Sequence, residues 1–142
     1  TMEIDRDFLL QVVLNLRRTA DELEKHARVS ADDLAADLTL RWAVQHGLLV
    51  GISLILHAAQ HILTRRFGTL PESYEACLTE LRMRGVISAA LYRRLRGAGG
   101  FRNVLVQEHL QVDLKRIAQY ARRAPTTFRH FADELIRSLA QA

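Results

Sequence analysis

The sequence predicts an all-α protein, an up-and-down bundle of about four to six helices. Three observations lead there. Apolar residues recur at three-, four- and seven-residue intervals. β-branched residues are scattered, and no run alternates at the period of two that a half-buried strand requires. Most segments between helices are short, which favours antiparallel neighbours. A chain of 142 residues, 49% hydrophobic and 25% charged, has the composition of a globular protein and the length to bury one continuous core. Residues 1–142 read as one domain.

The first helix is expected over residues 4–27, with Phe8, Val12, Leu16 and Leu23 on its apolar stripe. Ser30 with Asp33 resembles a capping box that opens a long second helix, ending near Arg66 and closed by Gly68. Its most apolar stretch, GLLVGISLIL, runs for ten residues before His57 interrupts it. A membrane crossing needs about 20, so a buried helix is expected and no membrane partner. Pro71 suits the first turn of a third helix and Gly85 its C-terminal cap. Ser88 caps a short helix through Arg96, and the GAGG at 97–100 bends the chain before the next helix, which runs to about Gln111. A further segment starts near Asp113 and ends at Arg123. Pro125 marks the start of the last helix, capped by Thr126 or Thr127.

The net charge of +4 conceals an asymmetry. Residues 1–40 carry five Lys or Arg against nine acids, whereas residues 82–129 carry eleven against only Glu108 and Asp113. Of the 20 basic residues 18 are Arg, the side chain suited to bidentate phosphate contacts. The second half is thus built to sit near a polyanion or an acidic partner. Arg93, Arg94 and Arg96, with Arg122 and Arg123, are the candidates for contacting an RNA backbone or a partner protein; a solvated face is the other reading. The one cysteine, Cys77, sits in an apolar run, excludes an internal disulfide and fits a reducing cytoplasm. The acidic start, Glu3, Asp5 and Asp7, does not read as a secretory leader.

The stretch GFRNVLVQEHLQVD, residues 100–113, carries the chemistry. At about 100° per residue, Arg102 and His109 fall within roughly 20° of one another on a helix, while Gln107 lies about 140° from Arg102. Phe101, Leu105 and Val112 share the stripe facing the core. An imidazole with an ordinary pKa near 6.5 can take the proton of a ribose 2′-hydroxyl or return one to a leaving oxygen. A guanidinium can stabilise charge on the phosphorus oxygens, and Asn103 can orient the phosphate.

Elsewhere, His46, His57 and His61 share one face of the second helix with Ser53, Gln60 and Thr64. This polar stripe is expected to face solvent, a dimer partner or the catalytic cleft; with no HExxH glutamate and no second cysteine, no metal is expected there. The GAGG lacks the Lys and Ser/Thr of a P-loop. Trp42 and Phe67 have no aromatic company and are expected in the core.

The chain resembles the HepT-like branch of the HEPN superfamily, small all-α proteins that serve as toxins in prokaryotic toxin–antitoxin pairs. WAVQHGLLVGISLILHAAQHIL is similar to the family's long second helix, and LPESYEACLTELRMRGVISAALYRRLRGAGGFRNVLVQEHLQVDLKRI to its second half. The superfamily signature is an Arg, a polar residue and a His; this branch usually writes RNxxVHxY. Arg102 and Asn103 match it, Gln107 stands at the usual histidine and His109 at the usual tyrosine.

The resemblance implies a HEPN-like bundle and a metal-independent endoribonuclease, cutting tRNA or mRNA in a cleft at a homodimer interface. It also implies no cofactor, and control by an MNT-type nucleotidyltransferase antitoxin. Glutamine is neither acid nor base near neutral pH, so His109 is the motif histidine available. The alternative is a catalytically degenerate HEPN binding module that partners a nucleotidyltransferase. In this branch the tyrosine is where the antitoxin attaches AMP; with His109 there, a partner could still block the cleft by binding or modify another residue such as Tyr92 or Tyr120.

Overall fold

The computed structural model describes residues 3–106 and 113–141. Among the described residues the chain forms α1 (Arg6–Glu24), α2 (Ala31–Ala36), α3 (Leu38–Phe67), α4 (Tyr74–Met83), α5 (Ala89–Leu95), α6 (Ala98–Val106) and α7 (Leu114–Gln141), with no strand. The all-α class read from the sequence is what is found.

Most helix ends are set by side chains satisfying amide groups that the helix itself leaves free. Asp5 accepts the Phe8 amide at 3.0 Å and starts α1. Ser30 and Asp33 exchange two bonds of 3.0 Å each, the expected capping box. The helix it opens lasts only six residues, however. Asp37 takes an extended conformation and accepts the Leu40 amide at 3.1 Å, so a second cap divides the expected long helix into α2 and α3. Ser73 caps α4, so Pro71 precedes the helix and does not lie in its first turn as expected. Gly68, Gly85 and Gly97 all have positive φ and end the helices before them. Of the GAGG only Gly97 is therefore a bend; Ala98, Gly99 and Gly100 already belong to α6.

The largest departure from expectation is α7, one continuous helix with Pro125 inside it. A mid-helix proline forfeits one hydrogen bond and crowds the carbonyl four residues back. Here that position is Ala121, a small residue, and both sides of the proline are buried: Ile117, Ala121, Ala124, Phe128, Phe131 and Leu135. Burial along both halves outweighs the local loss.

α7 runs along α1 and crosses α3, while α3 also touches α2, α4 and α6. The core is built from side chains such as Leu9, Leu16, Leu48, Leu56, Phe101 and Phe131, all essentially inaccessible. Cys77 is among them, and burial pushes its thiol up from the usual range. Phe8 lies outside this core, at the surface beside His61 with ring centroids 4.9 Å apart. By length and composition α3 could cross a membrane, its best 18-residue window having a mean hydropathy of 1.6. Half of that window is buried against the other helices, as in the core helix of a bundle.

Candidate active site

The site is built on α6. Phe101 fixes it from below, fully buried and stacked on Tyr120 of α7 with centroids 3.8 Å apart and planes 3° apart. Leu105 is buried one turn further on. The start of α6 is held from the side by Glu75 of α4, whose carboxylate accepts the amides of Gly97 at 2.6 Å and Gly99 at 3.1 Å. A carboxylate at a helix N-terminus satisfies free donors and complements the helix dipole. Gly99 makes the close approach feasible, since a Cβ there would lie 2.8 Å from the Tyr74 Cβ.

That anchoring delivers Arg102 half-buried between α3 and α4. Its Nε donates to the Ser53 hydroxyl at 3.2 Å, and its guanidinium lies 5.3 Å from the centroid of the Tyr74 ring. Among the described residues no carboxylate pairs with it. Asn103, exposed, turns into a cleft of about 560 Å³ with Gln60, Tyr74, Glu75 and Gly100. Arg102 and Asn103 thus flank Tyr74. Gln107 and His109, the other two motif residues, lie outside the described residues.

Part of the polar stripe of α3 faces this site. Ser53 holds Arg102 and Gln60 lines the Asn103 cleft. His57 lies one turn beyond Ser53 and is exposed, the described histidine next to the site. His61 is committed elsewhere: its Nε2 accepts the Asp5 amide at 3.0 Å. Its pKa is lowered, first by burial and then by Arg65, against the opposing pull of Asp5. His46 is exposed near α1, lining a hollow with Arg18, Glu22 and His26. Among the described residues no three metal-binding side chains cluster.

Of the five candidate contact arginines, four converge. Arg93, Arg94 and Arg96 at the end of α5 meet Arg123 of α7 around a pocket of about 120 Å³. Arg122 is exposed but does not line it. Arg129, in contrast, is taken up by Asp21 at 3.0 Å and Glu24 at 3.2 Å of α1, so part of the basic excess is neutralised within the fold.

Trp42 does not sit in the core as expected, and Phe67 only packs against its edge. Phe67 is half-buried, with Arg84 4.9 Å and Arg66 5.5 Å from its ring centroid. Trp42 is 58% exposed on α3 and, with Gln45, His46, Leu49 and Leu105, lines a shallow hollow beside α6. The Nε2 of Gln45 is buried there without a hydrogen-bond partner. Sequence reasoning missed Tyr74 and Glu75 altogether. Both contacts cross more than twenty residues of chain, and helical periodicity carries no signal for them.

Residues 16–135 match the family model described as Ribonuclease HepT-like. No curated protein sequence matches the chain significantly. Among solved structures, the chain is similar to one in the crystal structure of a toxin–antitoxin with AMP-PNP: TM-score 0.80 at 20% identity, covering 93% of this chain and 98% of that one. It is similar also to a chain of the tri-AMPylated Shewanella oneidensis HEPN toxin in complex with MNT antitoxin, with TM-score 0.79, 20% identity and the same coverages. At that identity the shared property is the fold.

Proposed function

Since the chain belongs to the Ribonuclease HepT-like family, we propose that it is the toxin of a toxin–antitoxin pair and a metal-independent endoribonuclease. One observation carries this reading: Arg102 is oriented by Ser53 and Tyr74, with no described carboxylate to neutralise it. A fixed and unpaired guanidinium is poised for a phosphate.

In the proposed reaction an imidazole, assigned to His109, removes the proton of the 2′-hydroxyl. The 2′-oxygen attacks phosphorus, the bond to the 5′-oxygen breaks, and that oxygen leaves with the proton returned by the imidazolium. The products are a 2′,3′-cyclic phosphate and a 5′-hydroxyl. Arg102 stabilises the negative charge on the phosphorane, and Asn103 positions the phosphate from its cleft. No cofactor is invoked.

The active form is proposed to be a homodimer in the cytoplasm. In support, α3 is apolar on most sides yet only half covered; it exposes Leu38 and Trp42, and Trp42 lines a hollow with Leu105 of α6. A helix that apolar is normally covered all round. An MNT-type nucleotidyltransferase is the proposed antitoxin, supported by the solved complex of a HEPN toxin with MNT antitoxin. One observation favours a second reading, a HEPN module that binds a nucleotidyltransferase without cutting RNA: Gln107 stands at the usual motif histidine.

The experiment is cleavage of a labelled RNA pool, tRNA and mRNA together, in EDTA. Wild type is expected to cut, with Arg102→Ala and His109→Ala each slowing cleavage at least about 100-fold. A folded wild type that cuts nothing would transfer support to the binding module.

A further inference from the structure

The pocket between α5 and α7 combines three properties that packing alone does not explain. It is small, about 120 Å³, against the roughly 300–1,000 Å³ of ordinary small-molecule sites. That is room for one flat ring and not for a whole nucleotide. Its floor is apolar, with Leu48, Ile52 and Phe128.

The second property is an uncommitted hydroxyl in that floor. Thr127 is only 8% exposed and has no hydrogen-bond partner among the described residues. Thr64 and Thr126 also forgo a bond back along the helix but are exposed to water, whereas the part-buried Thr19 and Thr79 bond to carbonyls four residues earlier, at 2.8 and 3.1 Å. A hydroxyl that forgoes that local bond while lining a pocket is free to bond to an occupant.

The third is charge. Arg93, Arg94, Arg96 and Arg123 form the rim, and none pairs with a carboxylate among the described residues. Two of them occupy the last turn of α5, where cations suit the helix dipole. Arg123 arrives from α7, where its guanidinium lies 5.5 Å from the Tyr120 ring centroid, a contact that leaves its charge unneutralised. Like charges gathered at one mouth repel unless an anion is shared between them.

The pocket also adjoins the Arg102 site. Ala98, which lines it, lies four residues before Arg102 on α6, about 6 Å along the axis. Ile52 in its floor directly precedes Ser53, which holds Arg102.

We propose that this pocket receives one unstacked nucleobase of a single-stranded RNA, with the flanking phosphates on the arginine rim. The inference rests on the RNA-cleaving reading above and adds a base subsite beside the scissile phosphate. A ring enters the apolar floor, Thr127 bonds to its edge, and the guanidinium groups bind backbone oxygens or lie against the base.

The test compares two probes by fluorescence anisotropy: a 2′-O-methyl oligouridylate, which cannot be cut, and an abasic 2′-O-methyl ribose-phosphate oligomer of equal length and charge. Wild type is expected to bind the base-bearing oligomer about tenfold tighter. Thr127→Val should remove about threefold of that preference and leave the abasic affinity unchanged. Arg93→Ala with Arg123→Ala should weaken both oligomers and flatten the log–log salt dependence by about 1.4. Equal binding of the two oligomers by wild type would overturn the base subsite and leave the RNA reading intact. No binding of either would overturn both. The wild-type comparison stands even where a variant fails to fold, which helicity and melting would reveal.

Discussion

At the scale of single residues the question is which imidazole serves Arg102. His109 is seven residues away on the motif, whereas His57 is exposed one turn from Ser53. The two make opposite forecasts. Cleavage should survive His57→Ala within a fewfold and fall about 100-fold in His109→Ala; the reverse pattern would move the role to α3. Ser53→Ala should lower the rate by about tenfold, because it frees Nε while leaving the guanidinium charge and the Tyr74 contact in place. His61 supplies a separate pH signal. Its Nε2 must be unprotonated to accept the Asp5 amide, and its folded pKa lies below the ordinary 6.5. A group with a depressed pKa binds fewer protons folded than unfolded, so stability rises with pH across the interval between the two values. The contribution is complete above about 6.5 and is lost as pH falls through the lowered value. Melting followed between about pH 7.5 and 5.5 should show a small loss that His61→Ala abolishes.

At the scale of helices two glycines separate what propensity says from what packing says. Alanine in place of a helical glycine gains about 1 kcal/mol where nothing else changes. At Gly100, in α6, an added Cβ would meet nothing within 4 Å, so Gly100→Ala should raise stability by up to that amount. At Gly51, in α3, the same Cβ would lie 2.1 Å from the Phe128 ring of α7, far inside contact distance. Overpacking of that kind costs about 1–3 kcal/mol or more, so Gly51→Ala should lower the melting temperature; a rise would show that α3 and α7 can part freely. The same division explains what was legible in the sequence. Local signals held: the Ser30–Asp33 box, Ser88 as a cap, Gly68 and Gly85 as stops, the buried faces of Phe101 and Leu105. Signals that compete with tertiary contact failed. Pro125 looked like a helix start, yet burial on both sides carries α7 through it. Arg102 and Asn103 are legible as candidates from the motif, but Ser53 only as one member of a polar stripe. Tyr74 and Glu75 were invisible, since their roles exist only once α4 lies beside α6.

At the scale of the whole molecule, charge and apolar surface concentrate on different elements. The acids of α1 meet arginines of α7, in Arg17 with Asp133 reversed in sign and in Arg129 with Asp21 and Glu24, which ties those two helices and consumes part of the charge asymmetry. The arginines near α6 remain unpaired among the described residues, so the basic surface concentrates beside Arg102. The apolar surface concentrates on α3, where Trp42 is 58% and Leu38 50% exposed, with Val106 of α6 also 50% exposed. A second copy laid on this face would cover Trp42 and bring its own α6 close to the first. Trp42→Asp places a charge in the middle of that contact, where an unpaired buried charge costs several kcal/mol. It removes nothing from the monomer's core, because Trp42 is not part of it. If the proposed dimer forms on this face, the wild type should run as a dimer in light scattering, and the variant should keep wild-type helicity, run as a monomer and lose cleavage with Arg102 and His109 intact. A dimeric Trp42→Asp would place the interface elsewhere, and a monomeric variant that cuts at the wild-type rate would show that one subunit holds the complete site.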